Sequence, residues 1–153
     1  MWLTIAVVLL DQGTKQLVVG WLEPDRPRII FAPGALPSID FLLSYNKGIS
    51  FSILRFADDV QRWPLVGLSL FACGLLALWL HRVPPNQPIL TTGLALIIAG
   101  AFGNMLDRAR IGAVIDFVHL SYKSWSFAIF NVADTAITLG ASATMLSLFL
   151  ETA

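Results

Sequence analysis

Four apolar stretches, each near the length that crosses a bilayer, constrain this chain more than any other feature. They cover about residues 2–22, 63–80, 89–106 and 129–150. A hydrocarbon core about 30 Å thick takes about 20 helical residues, and within it each backbone polar group must be bonded inside the protein. The chain of 153 residues is therefore expected to form one integral-membrane domain, all-α, with four transmembrane helices. Composition agrees: 56% of residues are hydrophobic and only 13% charged, about half the charged share of a soluble domain.

The spans organise the rest. Between the second and third lies the short segment His81-Arg82-Val83-Pro84-Pro85-Asn86-Gln87-Pro88, whose prolines stop both helices. An even number of spans puts both termini and this turn on one side. The two larger connections, residues 23–62 and 107–128, then share the other side. The first holds prolines, glycines and short apolar runs such as 39–45, and reads as a small β-rich element on the membrane surface. The second carries Tyr122, Trp125 and Phe127 among polar residues, and reads as an interfacial helix or loop. The first span lacks a basic start and a small-residue end, and Lys15 interrupts it, so it reads as a retained helix and not a cleaved signal peptide.

Charge excludes some classes and raises one conflict. Net charge is zero, which leaves no footprint for nucleic acid. Arg26, Arg28, Lys47, Arg55, Arg62, Arg108, Arg110 and Lys123 all fall on the side of the larger connections, against Arg82 on the other. A plain positive-inside count would put the larger connections in the cytoplasm. Cys73 is the single cysteine, so no internal disulfide forms, and its apolar setting suits a small buried hydrophobe. No G-x-S-x-G elbow, H-E-x-x-H helix or zinc-type cysteine spacing is present. His81 and His119 fall on opposite sides of the membrane, against a histidine triad or metal site. No metal or organic cofactor is expected.

Ionisable groups near spans cost about 2.5–3.5 kcal/mol each and need a reason. Asp11 and Lys15, four residues apart, can pair on one helix face, either to fix helix packing or to serve a site. Gly100, Asn104 and Arg108 are also spaced by four. That stripe suits a close helix contact with a snorkelling arginine, or the binding of an extended peptide or head group. Asp116 and Asp134 flank apolar stretches on one side of the membrane. Each alone suits a helix N-cap. Packed together at one level, the two would hold one proton between them, one activating water while the other polarises a carbonyl. Asn131, three residues before Asp134, can orient its carboxylate, and Ala133 keeps the backbone there accessible. The rival reading is a small proton-coupled transporter or channel with Asp11, Lys15, Asp116 and Asp134 as relay groups.

Five motifs in order resemble the bacterial lipoprotein signal peptidase (signal peptidase II) family. Asp11-Gln12-Gly13-Thr14-Lys15 is similar to its D-Q-x-[ST]-K element, and Asn46-Lys47-Gly48-Ile49-Ser50-Phe51 to N-x-G-x-A-F. The run from Ala99 to Arg108 resembles G-G-A-x-G-N-x-x-D-R. Val114-Ile115-Asp116-Phe117 and the run from Phe130 to Ile137 resemble the segments that bear the catalytic aspartates. Ser50 and Ala99 depart from the family's usual Ala and Gly, both by little volume. The resemblance implies an aspartic endopeptidase of the bacterial inner (cytoplasmic) membrane, with its site near the extracytoplasmic surface and both larger connections outward. It implies removal of signal peptides from diacylglyceryl-modified prolipoproteins, cutting before the lipidated cysteine. Asp116 and Asp134 would be catalytic. Asn46, Gly48, Gly100, Asn104, Asp107, Arg108, Asn131 and Ala133 would bind substrate or order the site, and Asp11 and Lys15 would brace it. Membrane lipid is an implied partner, and peptide antibiotics of the globomycin type are implied inhibitors.

Overall fold

The computed structural model describes residues 2–24, 26, 28–31, 38–48, 62–122 and 125–152. Among these, the chain forms α1 (Trp2–Trp21), β1 (Arg28–Phe31), β2 (Ser38–Asn46), α2 (Arg62–Arg82), α3 (Pro88–Ile111), β3 (Val114–Tyr122), β4 (Trp125–Phe130) and α4 (Val132–Thr152). All four helices are long and apolar enough to cross a membrane. Leu17, Phe71 and Phe149 stand more than 60% exposed on their outer faces, which suits a hydrocarbon surround. Exposed tryptophans mark both ends of the layer. Trp2 and Trp21 close α1, while Trp63 and Trp79 lie near the ends of α2. Nineteen residues of helical rise separate the α1 pair by about 28 Å, close to the hydrocarbon thickness.

The helix ends follow local chemistry. Pro88 takes the first position of α3, where a missing N–H costs nothing. Gly112 ends α3 in the left-handed conformation, φ 76°, and donates its N–H to the Arg108 carbonyl at 3.0 Å. α3 is the central helix and packs on the other three. Its closest approach is to α4, where a Cβ at Gly100 would stand 2.2 Å from the Ala133 carbonyl oxygen, and one at Gly140 2.6 Å from that of Gly93. Glycine is what lets these backbones meet.

The strands form one antiparallel sheet in the order β1-β2-β3-β4. Tyr45 faces Ile115 and Asn46 faces Val114 in the β2–β3 register. The sheet joins both larger connections, so they lie on one side of the helices. One of its faces seats Leu43, Ile115 and Phe117 on Val18 and Leu22 at the end of α1. Phe41 bridges Trp21 and Phe117 edge to face, at 5.9 and 6.2 Å between centroids.

The expected β-rich element is present and larger than the sequence suggested. Residues 107–128, read as an interfacial helix or loop, instead continue α3 to Ile111 and then supply β3 and the start of β4. α4 begins at Val132, and Ile129 and Phe130 belong to β4. Val114, Ile115, Asp116 and Phe117 are all buried, so β3 shows no polar alternation to betray it as a strand. Ser50, Arg55 and Lys123 lie outside the described residues.

Candidate active site

The site grows from the first turn of α4. Asn131 precedes the helix, and its Oδ1 accepts the Asp134 backbone N–H at 2.9 Å. Asp134 Oδ2 accepts the Asn131 backbone N–H at 3.2 Å. This is a reciprocal capping box, with Asn and Asp in the roles usually filled by Ser or Thr and Glu. A third donor of that turn, the Ala133 N–H, is taken from another helix by Asp11 Oδ1 at 2.9 Å. Asp11 thereby fixes α1 against the start of α4.

Beneath the turn lies a buried ion cluster. Lys15 Nζ contacts Asp11 Oδ2 at 2.9 Å, Asp107 Oδ2 at 2.7 Å and Asn104 Oδ1 at 3.1 Å. Asp11 and Lys15 are fully enclosed. All three ammonium donors therefore have acceptors, which is what makes a buried lysine tolerable. Asp107 also accepts the Ile115 N–H at 3.3 Å and the Gln12 amide at 2.9 Å. The cluster thus holds α1, α3 and the start of β3 together.

Two amides carry this order to the aspartates. Asn104 Nδ2 donates to Asp134 Oδ1 at 2.8 Å. Asn131 Nδ2 donates to Asp116 Oδ1 at 2.7 Å and lies 3.2 Å from both Asn104 Oδ1 and the Ile115 carbonyl. From the sheet, Asn46 Nδ2 reaches Asp116 Oδ2 at 3.0 Å while its Oδ1 accepts the Gly48 N–H at 2.8 Å. Each carboxylate oxygen of the pair thus has one donor, which leaves lone pairs for a shared proton or a water. Burial pushes the Asp116 carboxyl up to about 6, helped by repulsion from Asp134 and opposed by the bonds from Asn46 and Asn131 and by Lys15.

At the rim, Gly48 adopts φ 86°, and a Cβ there would meet Leu65 at 3.1 Å and Arg108 Nη2 at 3.4 Å. Arg108 Nε is buried with no partner among the described residues. It remains open to an acceptor from outside.

The expected residues therefore meet, with two refinements. Asn131 acts from outside the helix as its cap, not from one helix face. Gly100, Asn104 and Arg108 do not form one stripe of a single use, because residues spaced by four drift by about 40° per step on a 3.6-residue helix. Gly100 meets α4, Asn104 the ion cluster and Asp134, and Arg108 the Gly48 turn. Two features escaped the sequence. Gln12 braces Asp107, and it stood unassigned inside the first motif. His119 lies 2.8 Å from Ser126 Oγ and 3.4 Å from Asp40 Oδ2 across three strands. That order mimics a serine triad, yet His119 Nδ1 lacks hydrogen-bond geometry to Asp40, so the imidazole is not oriented as a base requires.

A four-helix membrane protein with two amide-bridged carboxylates, Asp116 buried and Asp134 half-buried, at one end of its bundle is the class that fold and site define. The signal peptidase (SPase) II family model matches residues 3–150, and the chain belongs to that family. It is 39% identical over 149 residues to a lipoprotein signal peptidase of Pseudoalteromonas atlantica, covering 97% of this chain and 88% of that one. It is 40% identical over 140 residues to one of Coxiella burnetii, covering 92% and 83%. A solved bacterial membrane enzyme shares the fold with a TM-score of 0.82 at 22% identity, over 99% of this chain and 88% of that one.

Proposed function

We propose that the whole chain acts as one peptidase domain that removes signal peptides from diacylglyceryl-modified prolipoproteins, with Asp116 and Asp134 as its catalytic pair. The observation that carries this reading is the Asn104–Asn131 bridge, which binds both carboxylates at one level. Asp116, with its raised pKa, is the member suited to hold the proton and polarise the scissile carbonyl. Asp134 lies at the positive end of α4, where negative charge is favoured, and is the member suited to take a proton from water. Water then adds to the carbonyl, and the proton on the pair passes to the leaving amide nitrogen. Asn46, Gly48 and Arg108 line the approach of an extended substrate, and Gly100, Ala133, Asp107, Asp11 and Lys15 hold the site's shape.

The relay reading is weaker, because a proton path needs groups at several depths, and here they gather at one end. With the sheet outward, the site faces the extracytoplasmic surface of the inner membrane. Acyl chains contribute about 0.8 kcal/mol per buried methylene, so a lipidated cysteine would keep its peptide bond at the level of the pair. Peptide antibiotics of the globomycin type would compete at the same place. The purified chain should cut a diacylglyceryl prolipoprotein before the lipidated cysteine, and its unlipidated form much more slowly. No cleavage of the lipidated form would refute the activity, and equal rates would remove the lipid requirement.

A further inference from the structure

Ile115 and Asp116 are neighbours on β3 and so point to opposite faces of the sheet. On the Ile115 side, away from the catalytic pair, lies a cavity of about 410 Å³ between the ends of α1, β2 and α3. Gln16, Tyr45, Lys47 and Arg110 supply its polar lining, and Val19 and Ile111 part of its apolar floor. Among the described residues neither Lys47 nor Arg110 has an acidic partner, and both are exposed. Arg110 spends one N–H on Gln12 Oε1 at a long 3.4 Å. Ile111, which lines the cavity, and Trp21 are the exposed last residues of α3 and α1, where the apolar layer gives way to polar surface.

We propose that this cavity binds the phosphate of an anionic membrane phospholipid, its acyl chains running down the outer faces of α1 and α3. Two cations with no acidic partner among the described residues, set over an apolar floor at the ends of the spans, match a phosphodiester carried on hydrocarbon. The substrate's own diacylglyceryl group bears no charge and would leave both cations unmatched. Nothing in the site depends on the peptidase reading.

The test is native mass spectrometry of the full chain in detergent, counting retained phosphatidylglycerol and phosphatidylcholine, with inorganic phosphate added as a separate competitor. The wild type should prefer phosphatidylglycerol. Lys47→Gln and Arg110→Gln should each lower its retention about 5-fold, and the double variant about 25-fold, as expected for cations at a membrane surface. Arg82→Gln, on the opposite side, should leave retention unchanged. Equal retention of the two lipids, or unchanged phosphatidylglycerol in both single variants, would overturn the proposal. Displacement of the lipid by millimolar phosphate would overturn it too, as the mark of a free-anion site.

Discussion

Asn131 and Asp134 cap one another across the first turn of α4, and the same Asn131 amide holds Asp116 at 2.7 Å. One side chain thus sets both the start of a helix and the spacing of the carboxylate pair. The two duties separate by mutation. Asn131→Ala should lose about 1 kcal/mol of stability with the cap. Asn131→Ser keeps a capping oxygen without adding charge and should melt closer to the wild type, yet it loses the amide N–H aimed at Asp116. Its turnover should fall about 100-fold, as misplaced catalytic groups do. Thermal unfolding beside peptidase assays reads both, and a fully active Asn131→Ser enzyme would remove the positioning role.

The Lys15 cluster predicts an asymmetric response. Lys15→Met leaves Asp11 and Asp107 buried without their cation, which should cost about 3–5 kcal/mol. The loss should appear as a lowered melting temperature in detergent. Near-normal melting would mean that the cluster contributes little to folding.

Glycine substitutions should rank by what their Cβ would meet. Gly100→Ala runs into the Ala133 carbonyl at 2.2 Å, and Gly103→Ala into Asp11 Oδ2 at 2.6 Å. Each should destabilise by about 1–3 kcal/mol. Gly13→Ala meets nothing within 4 Å and should be neutral or stabilising by about 0.5–1 kcal/mol, because alanine favours the helix. Equal melting temperatures for the three would contradict the packing described.

The pH dependence follows from Asp116, raised from an ordinary 3.8 to about 6 by burial first. The folded state therefore binds this proton more tightly than the unfolded chain. Its contribution to stability is fully present below about 3.8 and is lost as pH rises through about 6. Activity should fall over the same alkaline limb, because the pair then loses its shared proton. The Asn46 bond favours the ionised form, so Asn46→Ala should move the limb of kcat to higher pH. A limb that stays in place would show that Asn46 does not tune this group.

How much of this was legible in the sequence depended on which force wrote the signal. Spans were plain, because hydrocarbon demands long apolar runs. Asp11 and Lys15 were legible as a pair, because helical spacing alone brings them together. Asp107 as the third member was not, since only the α1–α3 crossing supplies it. β3 escaped because burial on both faces erased its alternation, and with it went the register that sets Asn46 beside Asp116. Asn131 was expected on the right group for the wrong geometry, since a residue just outside a helix reads like one just within it.

On the proposed reading, Asp116 and Asp134 together hydrolyse the peptide bond. The direct measurement is cleavage of a diacylglyceryl prolipoprotein by Asp116→Asn and Asp134→Asn, with melting curves to confirm folding. Both variants keep a hydrogen-bonding side chain of the same size and should fold. Each should lose activity by at least about 1,000-fold, as expected when one member of an acting pair is removed. Near-normal cleavage by either folded variant would contradict the account.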